Sequence, residues 1–188
     1  MIVYIHGFNS SPASAKAQIL KERLEARSRG AEFLAPVLPH SPAEAARALD
    51  ALARRLPVSA LVGSSLGGYY ATWLAEKFKL KAALLNPAVR PYDLLQGHLG
   101  PQQNHHTGER YELTRQHVDE LRALETETIT PERYLLITAT ADEVLDYRAA
   151  VARYRGCRQV VIDGGDHGLS DFASHADATL EFCGIPAA

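Results

Sequence analysis

Short runs of β-forming apolar residues alternate along the chain with longer stretches in which apolar side chains recur every three or four positions. The short runs are Ile2 to Ile5, Glu32 to Ala35, Ala60 to Val62, Ala82 to Leu85, Tyr134 to Thr138 and Gln159 to Ile162. Such alternation is the pattern of parallel strands joined by crossover helices. It predicts an α/β fold with a mostly parallel six-stranded sheet and helices on both faces. The helix signals are local. Ser41-Pro42-Ala43-Glu44 supplies an N-cap serine, a proline at the first helical position and a glutamate at N3. Ala45, Leu49, Leu52 and Leu56 then repeat at helical spacing, as Phe172, Ala176, Leu180 and Cys183 do near the end of the chain. A helix over residues 14–27 covers the first crossover.

One connection breaks this rhythm. Residues 87–133 separate two strands where a crossover of about half that length suffices. They read as a short lid insertion in a single domain spanning 1–188. Its first half, running through Gly100-Pro101-Gln102-Gln103-Asn104-His105-His106, is polar and turn-rich, and the two adjacent histidines fit a solvated lid. Residues 114–125 read as a helix, with Leu113, Val118, Leu121 and Leu124 as apolar points.

Composition narrows the function classes. The 188 residues are 46% apolar and 22% charged, which suits a soluble globular domain and excludes disordered and disulfide-scaffold classes. Twenty basic residues stand against 22 acidic ones with no basic stripe, so nucleic acid is not an expected partner. No apolar run approaches the roughly 18 residues of a membrane span, and Met1 to His6 lacks the features of a signal peptide. A cytoplasmic protein without a membrane partner is expected. Cys157 and Cys183 have neither metal-site nor redox spacing and receive no role.

The strongest chemical signal is Gly63-Ser64-Ser65-Leu66-Gly67, a G-x-S-x-G sequence where a strand meets a helix. Only Ser65 has glycines two positions away on both sides, which makes it the candidate nucleophile. A serine hydroxyl needs a base at the same sheet edge. His167, in Asp163-Gly164-Gly165-Asp166-His167-Gly168 just after the last strand, fits that need. An acid should lie between them in the chain order serine, acid, histidine. Asp142, after the fifth strand, is the first choice, with Asp163 and Asp166 as alternatives. Asp146 suits an N-cap and Glu143 a solvent-facing position. The amide of Leu66 follows the nucleophile and is one expected oxyanion donor. Phe8, in the loop His6-Gly7-Phe8-Asn9 after the first strand, is the other, with Asn9 in reserve. His6 itself suits a structural role in fixing that loop. Asn9, Tyr69, Tyr70 and Tyr92 are candidates for shaping the substrate site.

Four stretches, Ile5-His6-Gly7-Phe8-Asn9-Ser10-Ser11-Pro12, Gly63 through Leu74, Asn86-Pro87-Ala88-Val89-Arg90-Pro91 and Asp142 through Arg148, resemble the YqiA-type small bacterial esterases of the α/β-hydrolase superfamily. The resemblance implies a minimal α/β-hydrolase fold and carboxylester hydrolysis, with acyl-CoA thioesters as further substrates. It also implies Ser65, Asp142 and His167 in the roles given above. One departure is Ala141, where the family pattern has glycine before the aspartate.

The expected function is therefore a serine esterase acting on a small-molecule acyl ester or thioester through an acyl-enzyme, with no metal or organic cofactor. Fold does not fix reaction. A lyase or perhydrolase on the same scaffold, or a non-catalytic binding module, are the alternatives.

Overall fold

In the computed structural model, which describes residues 1–104 and 106–186, the six apolar runs form one sheet in which every neighbouring pair is parallel. The chain runs β1 (Ile2–Ile5), α1 (Ala15–Ala26), β2 (Phe33–Leu34), α2 (Pro42–Arg55), β3 (Ala60–Ser64), α3 (Leu66–Phe78) and β4 (Lys81–Leu85). An insertion then carries α4 (Pro91–Leu95), β5 (Gly100–Gln103), β6 (Arg110–Leu113) and α5 (Arg115–Arg122). The sheet resumes with β7 (Tyr134–Ala139), α6 (Tyr147–Arg153), β8 (Arg158–Ile162) and α7 (Ala176–Phe182). His105, assigned above to a solvated lid, lies outside the described residues. No helix among the described residues is long and apolar enough to cross a membrane.

Successive side chains of a strand point to opposite faces, and the core divides accordingly. Val3, Ile5, Leu61, Leu84 and Leu136 pack on one face against Leu49 of α2, Leu74 of α3, Leu121 of α5 and Ala150 of α6. Ile2, Tyr4, Val62, Leu85 and Ile137 pack on the other against Leu20 and Leu24 of α1 and Leu180 of α7. The helix starts follow their sequence signals. Ser41 accepts from the Glu44 amide with Pro42 opening α2, and Asp146 accepts from the Arg148 amide at the start of α6.

Two expectations need correction. The second strand is only Phe33–Leu34, because Gly30–Glu32 close a 3-10 turn in which Arg29 and Glu32 pair at 2.5 Å. The first half of the insertion, expected to be turn-rich, contains α4 and an antiparallel hairpin of β5 and β6. Gly100-Pro101-Gln102-Gln103 has no apolar period to announce a strand, so its pairing with Arg110–Leu113 is set by backbone bonds rather than by hydrophobic pattern.

The strand order β2-β1-β3-β4-β7-β8 reverses the direction of winding between β1 and β3. The carboxyl ends of strands at such a reversal frame a crevice where ligands bind in open α/β sheets. Here the crevice closes tightly over α3. A Cβ added to Gly67 would lie 1.9 Å from the Ile5 carbonyl oxygen, and one on Gly63 would lie 2.4 Å from that of Gly67. Backbone packs there where a side chain would otherwise stand. Gly67→Ala is expected to lower stability by about 3 kcal/mol, the upper end for overpacking, because a backbone neighbour cannot swing aside. The shift of the urea midpoint measures it.

Candidate functional site

Each chemical group of the crevice sits just past the carboxyl end of a strand. Ser65 follows β3 at φ 53 and ψ −121, a backbone conformation that disfavours side chains and costs on the order of 1–3 kcal/mol. Three bonds hold it there. Its amide donates to Leu85 O at 3.0 Å, and its carbonyl accepts from the Gly68 and Ala88 amides at 2.9 and 3.0 Å. The elbow is thereby tied to α3, β4 and the start of the insertion.

His167, past β8, approaches Ser65 Oγ with Nε2 at 3.1 Å. Its other nitrogen, Nδ1, lies 3.0 and 2.9 Å from the two oxygens of Asp142, past β7. A carboxylate only accepts, so Nδ1 carries hydrogen and Nε2 is left to accept the Ser65 proton. The Asp142 side chain is 1% exposed. Oδ1 also accepts from the Val144 and Leu145 amides at 2.8 Å each, which fixes the carboxylate and supplies donors to its charge.

The rival acids are occupied elsewhere. Asp163 accepts from the Thr140 hydroxyl at 3.3 Å, and Asp166 from the Ser170 amide and hydroxyl. Glu143 is exposed, as expected, yet Oε2 also accepts the His167 amide at 2.9 Å. His6 is buried beside Gly7, with Nδ1 3.0 Å from Gly7 O, and burial lowers its pKa.

Beside the Ser65–His167 pair lies an open cleft of about 270 Å³, walled by Phe8, Leu66, Leu94, Leu95, Val144 and Leu145. Among the described residues, the Phe8 and Leu66 amides have no backbone or side-chain acceptor, and both residues line this cleft. Leu66 opens α3, so its N–H also stands at the positive end of a helix dipole. The arrangement offers a hydroxyl with a base, a base with an orienting acid, and two free donors beside an apolar wall.

The candidate substrate residues fall elsewhere. Tyr69, Tyr70 and Tyr92 do not line the cleft, because their rings fill the core shared by α3 and the insertion. Tyr69 donates to Leu121 O at 2.9 Å, and burial raises its pKa. Tyr92 donates to Glu125 at 2.5 Å and accepts from Arg90 at 3.0 Å. Asn9, the fourth, turns its side chain to the inserted hairpin instead of the cleft, donating to Gln102 and accepting from Tyr111.

Two further residues escaped the sequence reading. Asn86, past β4 at φ 41 and buried, accepts the Ala139 amide at 2.9 Å and donates to the Asp166 and His167 carbonyls at 3.0 and 3.1 Å. One side chain thus joins the end of the acid-bearing strand to the histidine loop. Lys16 of α1 donates to Gly168 O at 2.5 Å from the other side. Burial lowers its pKa, with Asp166 and Asp142 opposing that shift. The available signal for Asn86 was an asparagine directly after an apolar run, where a buried amide must find partners.

A family model described as "Uncharacterised protein family (UPF0227)" matches residues 1–184. Among solved structures, the mouse alpha/beta hydrolase domain-containing protein 10 is similar with a TM-score of 0.70 at 18% identity, covering 98% of this chain and 87% of that one. Est1E of Butyrivibrio proteoclasticus, solved with ferulic acid bound, gives 0.68 at 20%, covering 96% and 86%. The monoacylglycerol lipase of Paleococcus ferrophilus gives 0.65 at 14%, covering 98% and 94%. At these identities the likeness is one of fold, and the fold is that of the α/β hydrolases.

Asn86→Ala removes all three side-chain bonds. It is expected to cost about 1–3 kcal/mol for each buried group left without a partner, the Ala139 amide foremost. Denaturant unfolding checks the loss, and faster hydrogen exchange across residues 163–169 locates it.

Proposed function

This chain belongs to the UPF0227 family, the YqiA-type group, and has an α/β-hydrolase fold; from that premise we propose that it is a serine esterase acting on small acyl esters, with acyl thioesters as further substrates. The observation that carries this reading is the unbroken row Ser65–His167–Asp142, with both gaps at hydrogen-bond distance, opening into an apolar cleft.

The chemistry follows from the row. As Ser65 Oγ attacks the substrate carbonyl carbon, its proton moves to His167 Nε2. The imidazolium that forms is stabilised by Asp142, whose carboxylate is already fixed by two amides. Charge develops on the former carbonyl oxygen, where the Phe8 and Leu66 amides supply donors that need no reorganisation. His167 then returns the proton to the departing alkoxide or thiolate, leaving an acyl group on Ser65. Water, activated by the same imidazole, releases the acid. The cleft wall of Phe8, Leu66, Leu94, Leu95 and Val144 suits the apolar part of an acyl ester. The ester-cleaving activity named for the lipase of the same fold agrees with this chemistry.

Ser65→Ala is expected to lower kcat on p-nitrophenyl esters by about 10⁴-fold or more and to abolish fluorophosphonate labelling. Asp142→Asn is expected to cost up to about 10⁴-fold, because the amide stabilises the wrong imidazole tautomer. A parallel panel of acyl-CoAs ranks thioesters against esters. A wild-type chain that takes the label but turns over none of these substrates would leave the lyase or perhydrolase reading in place of this one, and a chain that takes no label either would leave the binding module.

A further inference from the structure

The inserted hairpin is fastened to the loop that follows β1. Tyr111 of β6 donates its hydroxyl to Asn9 Oδ1 at 2.7 Å, and Asn9 Nδ2 donates to Gln102 Oε1 of β5 at 3.3 Å. Asn104 Nδ2 donates to Ser10 O at 2.9 Å. The Tyr111 ring meets the Phe8 ring edge-on, with centroids 6.4 Å apart, and stacks on His40 at 4.5 Å. His40 Nδ1 lies 3.1 Å from Glu109 Oε1, just ahead of β6.

The loop so fastened has local bonds at Gly7 and Ser11, while the side chain of Asn9 between them bonds only to the hairpin among the described residues. Asn9 holds φ at +50, in the left-handed region that side chains avoid and asparagine tolerates best. Gly7, two residues earlier, presses on the nucleophile: a Cβ there would lie 3.1 Å from Ser65 Cβ. Phe8 stands between these two points, and its amide has no acceptor among the described residues. A hydrogen bond to a developing oxyanion weakens steeply as distance and angle depart from the optimum. Any slack at Asn9 therefore moves the donor that the reaction uses.

We propose that Tyr111 is a positioning residue for the esterase reaction, holding Asn9 so that the Phe8 amide meets the oxyanion; this role rests on the esterase reading above. The hairpin is then a brace of the oxyanion loop, built from an insertion that lies about 100 positions further along the chain.

Tyr111→Phe removes the hydroxyl and keeps the ring. Measured on p-nitrophenyl butyrate with the full chain, kcat is expected to fall about 10- to 100-fold. KM should stay within about twofold, because the ground state makes little use of the oxyanion donors. The inhibition constant of an alkylboronic acid, which becomes tetrahedral on Ser65, should rise by the same factor as kcat falls. Adding Tyr111→Phe to Asn9→Ala should cost little beyond Asn9→Ala alone, since Asn9→Ala already removes the bond to Tyr111 along with the one to Gln102. Should Tyr111→Phe fail to fold, Gln102→Leu removes the second bond to Asn9 and should move kcat and boronate affinity in the same direction, less far.

A Tyr111→Phe variant with wild-type kcat and boronate affinity overturns the proposal. So does a fall in kcat that leaves boronate affinity unchanged, or one matched by a fall in melting temperature large enough to account for the lost activity. Failure of the esterase reading looks different: the wild-type chain itself turns over no ester, whether or not it takes the fluorophosphonate label, which removes the role of Tyr111 with it.

Discussion

The turn at Ser65 exists because two Cβ atoms are missing beside it. Gly63 and Gly67 let β3, α3 and the end of β1 approach to distances that no other residue permits. Much of the site depends on that approach. It sets Ser65 at a positive φ, which lifts its side chain clear of both strand and helix. It also brings the Ile5 and His6 carbonyls against α3, so that the loop after β1 passes close to Ser65. The strain in Ser65 is offset locally, by bonds from its backbone to Leu85, Gly68 and Ala88.

A row of three polar side chains on separate loops has to be held against the entropy of those loops. Asn86 answers this for two of them. Its amide is buried, and burying an amide is unfavourable unless its donors and acceptor are used. Here all are used, on the Ala139 amide and on the carbonyls of Asp166 and His167. The need of a buried group for partners thus becomes a constraint on the spacing of the acid and histidine loops. Lys16 and Glu143 add contacts to the same loop from its two sides. The apolar sheet beneath supplies rigidity, and these polar links transmit it to the side chains of Asp142 and His167.

Much of this was legible in the chain because its signals are local. The strands were visible as apolar runs, and the elbow as glycines at fixed offsets from Ser65. Other features arise only from encounters between distant segments. β3 extends through Gly63 and Ser64, poor strand formers, because Leu84 and Leu85 of β4 lie alongside to pair with them. The hairpin of the insertion carries no apolar period on Gly100–Gln103 and could be found only from its partner strand. Tyr69 and Tyr92 sit at plausible positions for a substrate pocket, but position does not give direction. Their rings turn into the core, and the cleft is walled instead by Leu94, Leu95, Val144 and Leu145. Asn86 was visible as a residue but not as a link, since the carbonyls it meets lie about 80 positions away.

The two sides of the reacting centre are consequently held by different kinds of structure. The Asp142 and His167 loops hang from the sheet interior, through the buried Asn86 amide, whose loss would leave unpaired groups in the core. The loop over the nucleophile is held from outside, by side chains of a hairpin that contributes little to the core beyond Leu113 and the edge of Tyr111. Hydrogen bonds at such a partly exposed site add little to global stability, because water replaces them on opening. They still restrict where a donor can stand, and transition-state stabilisation responds to position more sharply than folding does. Under the proposed esterase reading, the hairpin that adds little to the core is therefore the segment through which the rate can be tuned without disturbing the row of Ser65, His167 and Asp142.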